Sequence, residues 1–164
     1  MDAGDPADGA DTWLRSVTNS THIRKGRVHH AEFKKWLSPP DDPKAKWKLE
    51  LSGQLLSLVK SISDDAQRRV QAQKDKLKAA GKAVPSCLVF AGLLHKKIDA
   101  MRKIAVFKCD VLYDPQPDDD AHANIVIFDK GTDEILTVTD ILIENLILVL
   151  ASQIAADPIL SAQQ

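Results

Sequence analysis

The 164 residues predict an α+β fold: a small mixed sheet of about four to five strands, flanked by a long basic helix and an apolar C-terminal helix. Three observations carry this. KWKLELSG (46–53) alternates Trp47, Leu49 and Leu51 with Lys46, Lys48 and Glu50, which is the period-2 text of a half-buried strand. QLLSLVKSISDDAQRRVQAQKDKLKAAGK (54–82) places Leu55, Leu58, Val59 and Ile62 at i, i+3, i+4 and i+7, the stripe of an amphipathic helix. The apolar runs at 85–94, 104–114 and 121–129 make a β-rich centre flanked by helices without strict βαβ alternation, so a doubly wound α/β sheet does not fit.

Each element follows in chain order. Residues 1–11 are mostly Asp, Ala, Gly and Pro with no apolar anchor, and are expected to form a disordered acidic tail. A single domain then spans 12–157, with a flexible tail at 158–164. TWLRSVT (12–18) suits a short strand or a helical turn. Gly26, set among cations in HIRKGRVHHAEF (22–33), marks a turn, after which Ala31, Phe33 and Trp36 form an apolar set. LSPPDDPK (37–44) is a loop because its prolines and aspartates exclude regular structure.

Beyond Ile62 the helical stripe thins to Ala66, Val70 and Leu77, and the remaining surface is basic. Ser63, Asp64 and Asp65 offer a point where the helix could divide. Gly81 fits a C′ position and Pro85 stops continuation. PSCLVFAGLL (85–94) reads as a strand, and HKKIDAMRK (95–103) as a helix with Leu94, Ile98 and Met101 on one side. IAVFKCDVLYD (104–114) is a strand, PQPDDD (115–120) a loop, AHANIVIFD (121–129) a strand, KGTD (130–133) a turn and EILTVTD (134–140) a short strand. Thr139 or Asp140 can cap a final helix at about 140–156. Ile141, Leu142, Ile143, Leu146, Ile147 and Leu148 make it apolar nearly all round, which suits a core position or a homo-oligomer interface.

The start, MDAGDPADGAD, is not a secretory signal, and no run of 18 uncharged apolar residues exists, so a soluble cytoplasmic protein without a membrane span is expected. Cys87 and Cys109 lie in apolar text and read as two buried thiols, with a disulfide the alternative if adjacent strands bring them together. The formal net charge is −1, yet it is unevenly spread. Residues 13–108 hold 21 Lys/Arg and 8 Asp/Glu, residues 1–12 hold four Asp and no cation, and residues 109–164 hold Lys130 alone against eleven acids. Such a basic centre either faces an anionic partner or neutralises the acidic ends within the fold.

Two stretches could carry chemistry. His29, His30 and Glu32 could ligate a metal, but adjacent histidines on a strand point to opposite faces. In DPQPDDDAH (114–122), Asp114, Asp118, Asp119, Asp120 and His122 could form a hard-metal or acid/base group, though the spacing is not that of a calcium loop. No glycine-rich phosphate cradle or nucleophile elbow occurs. The expectation is therefore no cofactor, no metal ligand set and no catalytic constellation.

HIRKGRVHHAEF resembles a motif of small bacterial proteins: an apolar residue, a cation, then Gly-Arg-Val and Ala-x-Phe. CDVLYDPQPDDDAHANIVI resembles their later motif, in which Asp-Pro and a short polar loop precede Ala-His-Ala and a strand. The matching residues are Gly26, Arg27, Val28, Ala31, Phe33, Asp114, Pro115, Ala121, His122 and Ala123. No activity is assigned to that family, so the resemblance implies a grouping rather than a reaction. It also implies that Arg27, Asp114 and His122 come together in space. The basic helix and the apolar C-terminal helix look like additions to it.

The leading expectation is a non-enzymatic accessory or adaptor protein of a bacterial multi-protein system, with a defence role as one setting. It would act through protein contacts of the basic and C-terminal helices. The alternative is a nucleic-acid-binding protein using Arg24, Lys25, Arg27, Arg68, Arg69, Lys74, Lys76 and Lys78 on phosphates. Trp13, Phe33, Trp36 and Trp47 interleave with cations and would be available for base stacking if they were exposed. A third reading is a metal-dependent hydrolase built on Asp114 and His122.

Overall fold

The computed structural model describes residues 1–29, 31–36, 47, 48, 50–104, 108–129, 131, 133, 134, 137, 138 and 152. The expected loop at 37–44, the helix at 140–156 (apart from Ser152) and the tail at 158–164 lie outside the described residues. The strands are β1 (Thr12–Asn19), β2 (Ile23–Arg24), β3 (Arg27–Val28), β4 (Trp47–Lys48), β5 (Glu50–Leu55), β6 (Leu88–Lys97), β7 (Lys108–Tyr113), β8 (His122–Phe128) and β9 (Thr137–Val138). The helices are α1 (Ala31–Trp36), α2 (Ile62–Ala79) and α3 (Ile98–Arg102).

Five strands form one sheet in the order β6-β1-β5-β8-β7. Every neighbouring pair is antiparallel, where a mixed sheet was expected. The reason lies in the connection through α2. β5 and β6 run parallel to each other, but β1 is inserted between them, so the crossover joins strands that are not hydrogen-bonded. The pairs β2–β3 and β4–β9 form two small separate ribbons.

Alternation along the strands sorts the sheet into two faces. One face carries Trp13, Val17, Leu51, Leu55, Leu94, Val111, Ala123, Ile125 and Ile127, closed over by Phe33 of α1 and by Ile98 and Met101 of α3. The Trp13 indole lies against Gly53, and its Nε1 donates to the Ala123 carbonyl at 3.2 Å. A Cβ at Gly53 would sit 2.2 Å from the Trp13 ring, so only glycine fits there. The opposite face carries Leu14, Thr18, Ser52, Gln54, Leu93 and His122, and α2 lies across it above β1 and β6. α2 buries Ala66 and Val70, and its Gln73 amide donates to the Thr18 hydroxyl at 3.0 Å.

The long basic helix is shorter at its start than the stripe predicts. Residues 54 and 55 belong to β5, and Leu56–Leu58 form a 3-10 turn. Ser63, Asp64 and Asp65 mark the first turn rather than a break. The Ser61 side chain accepts from the Asp64 amide, and the acids favour the positive end of the helix dipole. At the other end Gly81, with φ of 68°, takes the left-handed position. There the amides of Gly81 and Lys82 return to the carbonyls of Lys78 and Leu77, which ends the helix as expected. Gly26 also behaves as expected. Lys25 and Gly26 both have positive φ and form the tight turn between β2 and β3.

Two expectations are corrected. β6 continues through His95, Lys96 and Lys97, which pair with Leu14, Trp13 and Thr12, so the helix expected at 95–103 is reduced to five residues. Pairing with β1 overrides the helical spacing of Leu94, Ile98 and Met101. Residues 1–11, expected to be disordered, run along the free edge of β7. The Gly4 and Ala7 amides donate to the carbonyls of Tyr113 and Val111, and the Tyr113 amide donates to Asp5. Ala7 is 3% exposed. An edge strand offers unpaired backbone groups, and these can be satisfied without any apolar side chain.

Candidate functional site

The polar face of the sheet and the first half of α2 enclose an open cleft of about 390 Å³. Ser52 on β5, His122 at the start of β8, and Arg68 and Arg69 on α2 line it. Two hydrogen-bonded networks meet in it, and a third lies behind Ser52.

The first network runs from Asp114 through His122 to Ser52. His122 Nδ1 faces two acceptors, the Asp114 carbonyl at 2.7 Å and its Oδ2 at 3.2 Å. Nδ1 therefore carries the ring proton. In the neutral ring Nε2 is then the acceptor, and it lies 2.8 Å from Ser52 Oγ, so the Ser52 hydroxyl donates to it. The loop is closed on itself. The Asp114 amide donates to the His122 carbonyl at 3.0 Å, and the Asn124 amide group donates to Asp114 Oδ2 at 3.1 Å. Register explains the Ser52–His122 contact: Ser52 faces Asn124 and Gln54 faces His122, so the two are diagonal neighbours on one face.

The second network is ionic. Arg69 donates to Asp65 Oδ2 at 2.8 Å and to Asp119 Oδ2 at 2.5 Å, and Gln54 donates to Asp119 Oδ1 at 2.9 Å. Arg68 pairs with the other oxygen of Asp65. Burial works against the Asp65 carboxylate, but the hydrogen bonds and charge of Arg69 outweigh it and hold Asp65 below the usual carboxylate range. Burial likewise works against Arg69, and Asp65 and Asp119 together overcome it and raise its pKa. Arg69 is thus an internal strut, not a free cation.

The third network sits on the core side. Arg15 Nη1 donates to the Ser52 carbonyl at 2.8 Å, and its Nε donates to Glu32 Oε1 at 3.3 Å. His22 Nδ1 is 2.5 Å from Glu32 Oε2. Glu32 is fully buried. Burial pushes the Arg15 guanidinium down to about 10 despite the raising effect of Glu32. Ser52 is therefore gripped twice: Arg15 holds its carbonyl from the core side, and His122 meets its hydroxyl in the cleft.

The predicted residues divide among these places. His122 and Asp114 do come together, with Pro115 half-buried beside them. Arg27 stands exposed on the separate β2–β3 hairpin with Arg24, Lys25 and Gly26. Phe33 is a core residue. Lys76 and Lys78 are exposed and Lys74 is half-buried. Among the described residues none of these three has an acid within ion-pair distance. Glu32, considered beside His29 as a metal ligand, instead pairs with Arg15 and His22. His30 lies outside the described residues, and among those described no three His, Cys, Asp or Glu gather as a metal site. Both cysteines are free thiols. Cys109 is buried as expected and pushed up to about 11 by burial, whereas Cys87 is only half-buried. No helix among the described residues is long and apolar enough to cross a membrane.

Sequence reasoning missed Ser52, Arg15, Gln54 and the bridging role of Asp119. A serine on the polar side of a half-buried strand is ordinary text. Only the register that sets Gln54 against His122 gives it meaning. Comparison with known protein families, with curated proteins and with solved structures finds no match for this chain.

Proposed function

We propose that this protein is an accessory or adaptor protein of a bacterial multi-protein system, and that it holds an acidic partner protein on the C-terminal end of α2. One observation carries the reading. The cations of α2 are divided: Arg68 and Arg69 are tied to Asp65 and Asp119, while Lys74, Lys76 and Lys78 stand outside any ion pair among the described residues. Of these, Lys76 stands with Lys82 at the rim of an apolar groove of about 340 Å³, lined by Leu77, Pro85, Cys87 and Leu88. That surface suits an apolar side chain flanked by carboxylates.

The nucleic-acid alternative rests on the same lysines and on Arg24, Lys25 and Arg27, and it lacks one part. Trp13 and Phe33, two of the aromatics that base stacking would use, are core residues closed to it. The test is capture of the tagged protein from native cells, with the 260/280 nm absorbance ratio read before and after nuclease. A stoichiometric protein partner that survives nuclease supports the adaptor reading. Nuclease-sensitive absorbance without a stable protein partner overturns it in favour of the alternative.

A further inference from the structure

The geometry points to Ser52 as a nucleophile activated by His122, and we propose that the cleft cleaves small carboxylic esters. This goes beyond partner binding by α2 and uses residues on another part of the surface. A serine hydroxyl is a weak nucleophile until a neighbouring base accepts its proton. In the neutral ring the base is oriented for this. The Asp114 carbonyl and carboxylate hold the proton on Nδ1, so Nε2 is bare and receives the Ser52 hydroxyl hydrogen at 2.8 Å. Serine, imidazole and a third group that orients the ring are the parts such chemistry needs, and they are recognised by geometry rather than by chain order.

The support around Ser52 fits that role. Arg15 fixes its carbonyl at 2.8 Å, and strand pairing with β8 fixes its backbone, so Oγ is held while its side chain faces the cleft. Developing negative charge on a substrate carbonyl oxygen needs a donor on the cleft wall. Arg68 supplies one. It lines the cleft, is held by Asp65 through Nη2 and is 65% exposed, which leaves its other N–H donors for a bound group.

The step balances without any external oxidant or metal. Ser52 Oγ bonds to the ester carbonyl carbon while its proton passes to His122 Nε2. Collapse of the tetrahedral species breaks the bond to the alkoxy oxygen, and that leaving group takes the proton from Nε2 and departs as an alcohol. Water then attacks the acyl-serine by the same route, which releases the acid and restores the Ser52 hydroxyl.

The test is covalent labelling of the full-length chain with a fluorophosphonate probe, followed by intact mass and peptide mapping, alongside release of 4-nitrophenol from 4-nitrophenyl butyrate. The expected result is a single adduct on Ser52 and ester turnover, both absent from Ser52→Ala. His122→Gln, which keeps a hydrogen-bonding side chain at that position, should label roughly 100-fold more slowly or worse, the usual scale of a general base. Both variants should melt cooperatively. A folded wild-type chain that takes up no probe, or a Ser52→Ala chain that is labelled and turns over ester as well as wild type, overturns the proposal. Mapping the adduct in the wild-type chain keeps the test valid even if a variant fails to fold. Partner capture is read separately, so failure of one reading leaves the other standing.

Discussion

Replacing Glu32 by Ala removes a carboxylate that is wholly inside the protein and pairs with Arg15 and His22 among the described residues. Arg15 and His22 both depend on it, at 3.3 Å and 2.5 Å. The Arg15 side chain is 19% exposed, and its pKa has fallen from 12.5 to about 10 even with Glu32 in place. At 1.36 kcal/mol per unit that is about 3 kcal/mol of burial cost not recovered by the pair. The sign is clear: a cation whose folded pKa lies below its unfolded value weakens the fold at neutral pH, and the penalty lifts only as pH climbs above about 10. Without Glu32 the cation loses its counter-charge and the penalty grows. Breaking a buried pair by removing one partner costs about 3–5 kcal/mol. At 2–4 °C per kcal/mol for a domain of this size, Tm should drop by roughly 6–20 °C. The assay is urea unfolding followed by far-UV circular dichroism. Arg15→Met with Glu32→Leu should cost less than the two single changes added together, because neither member of the Arg15–Glu32 pair is left without the other. A loss below about 1 kcal/mol for Glu32→Ala, or strict additivity in the double variant, would show that Glu32 does not hold the buried Arg15 charge.

Other outcomes follow from the same structure. Because the folded pKa of Asp65 lies below its ordinary 3.8, the unfolded chain binds more protons there, so the stability that Asp65 supplies is complete above 3.8 and fades as pH falls through the folded value. Unfolding curves at neutral pH and below 3.8 should show the gap between wild type and Asp65→Asn narrowing in acid. Gly53→Ala should lower stability by about 1–3 kcal/mol or more, since the new methyl would meet the Trp13 ring and the Leu14 carbonyl, and a thermal melt reads this directly. Titration with a thiol reagent at neutral pH should modify Cys87 readily and Cys109 only after unfolding, since Cys109 is buried, bonded to the Met101 carbonyl and raised to about 11.

Local chemistry was readable where one element decides its own shape. The alternation at 46–53 identified strand text, though it divides between β4 and the start of β5 in separate sheets, while Gly26 identified the hairpin turn and Gly81 the end of α2. The reading failed where pairing between distant segments decides. Leu55, Leu58, Val59 and Ile62 fit a helical stripe, yet Leu55 belongs to β5 because it pairs with Trp13 across the sheet. The edge contacts of residues 1–11 are made by backbone groups and leave no trace in side-chain pattern. The site is the extreme case. Ser52 and His122 are 70 residues apart and meet through strand register, and Glu32 was visible as a candidate ligand while its partner Arg15 was not.

Charge reversal at the end of α2 asks whether that surface holds the proposed acidic protein partner. Wild type and the Lys74→Glu, Lys76→Glu, Lys78→Glu variant would be tagged, captured from native cells after nuclease treatment, and compared by quantitative mass spectrometry. The wild type should carry a stoichiometric protein partner that is lost from a variant whose melting is unchanged. Equal recovery of that partner by the charge-reversed protein would contradict it.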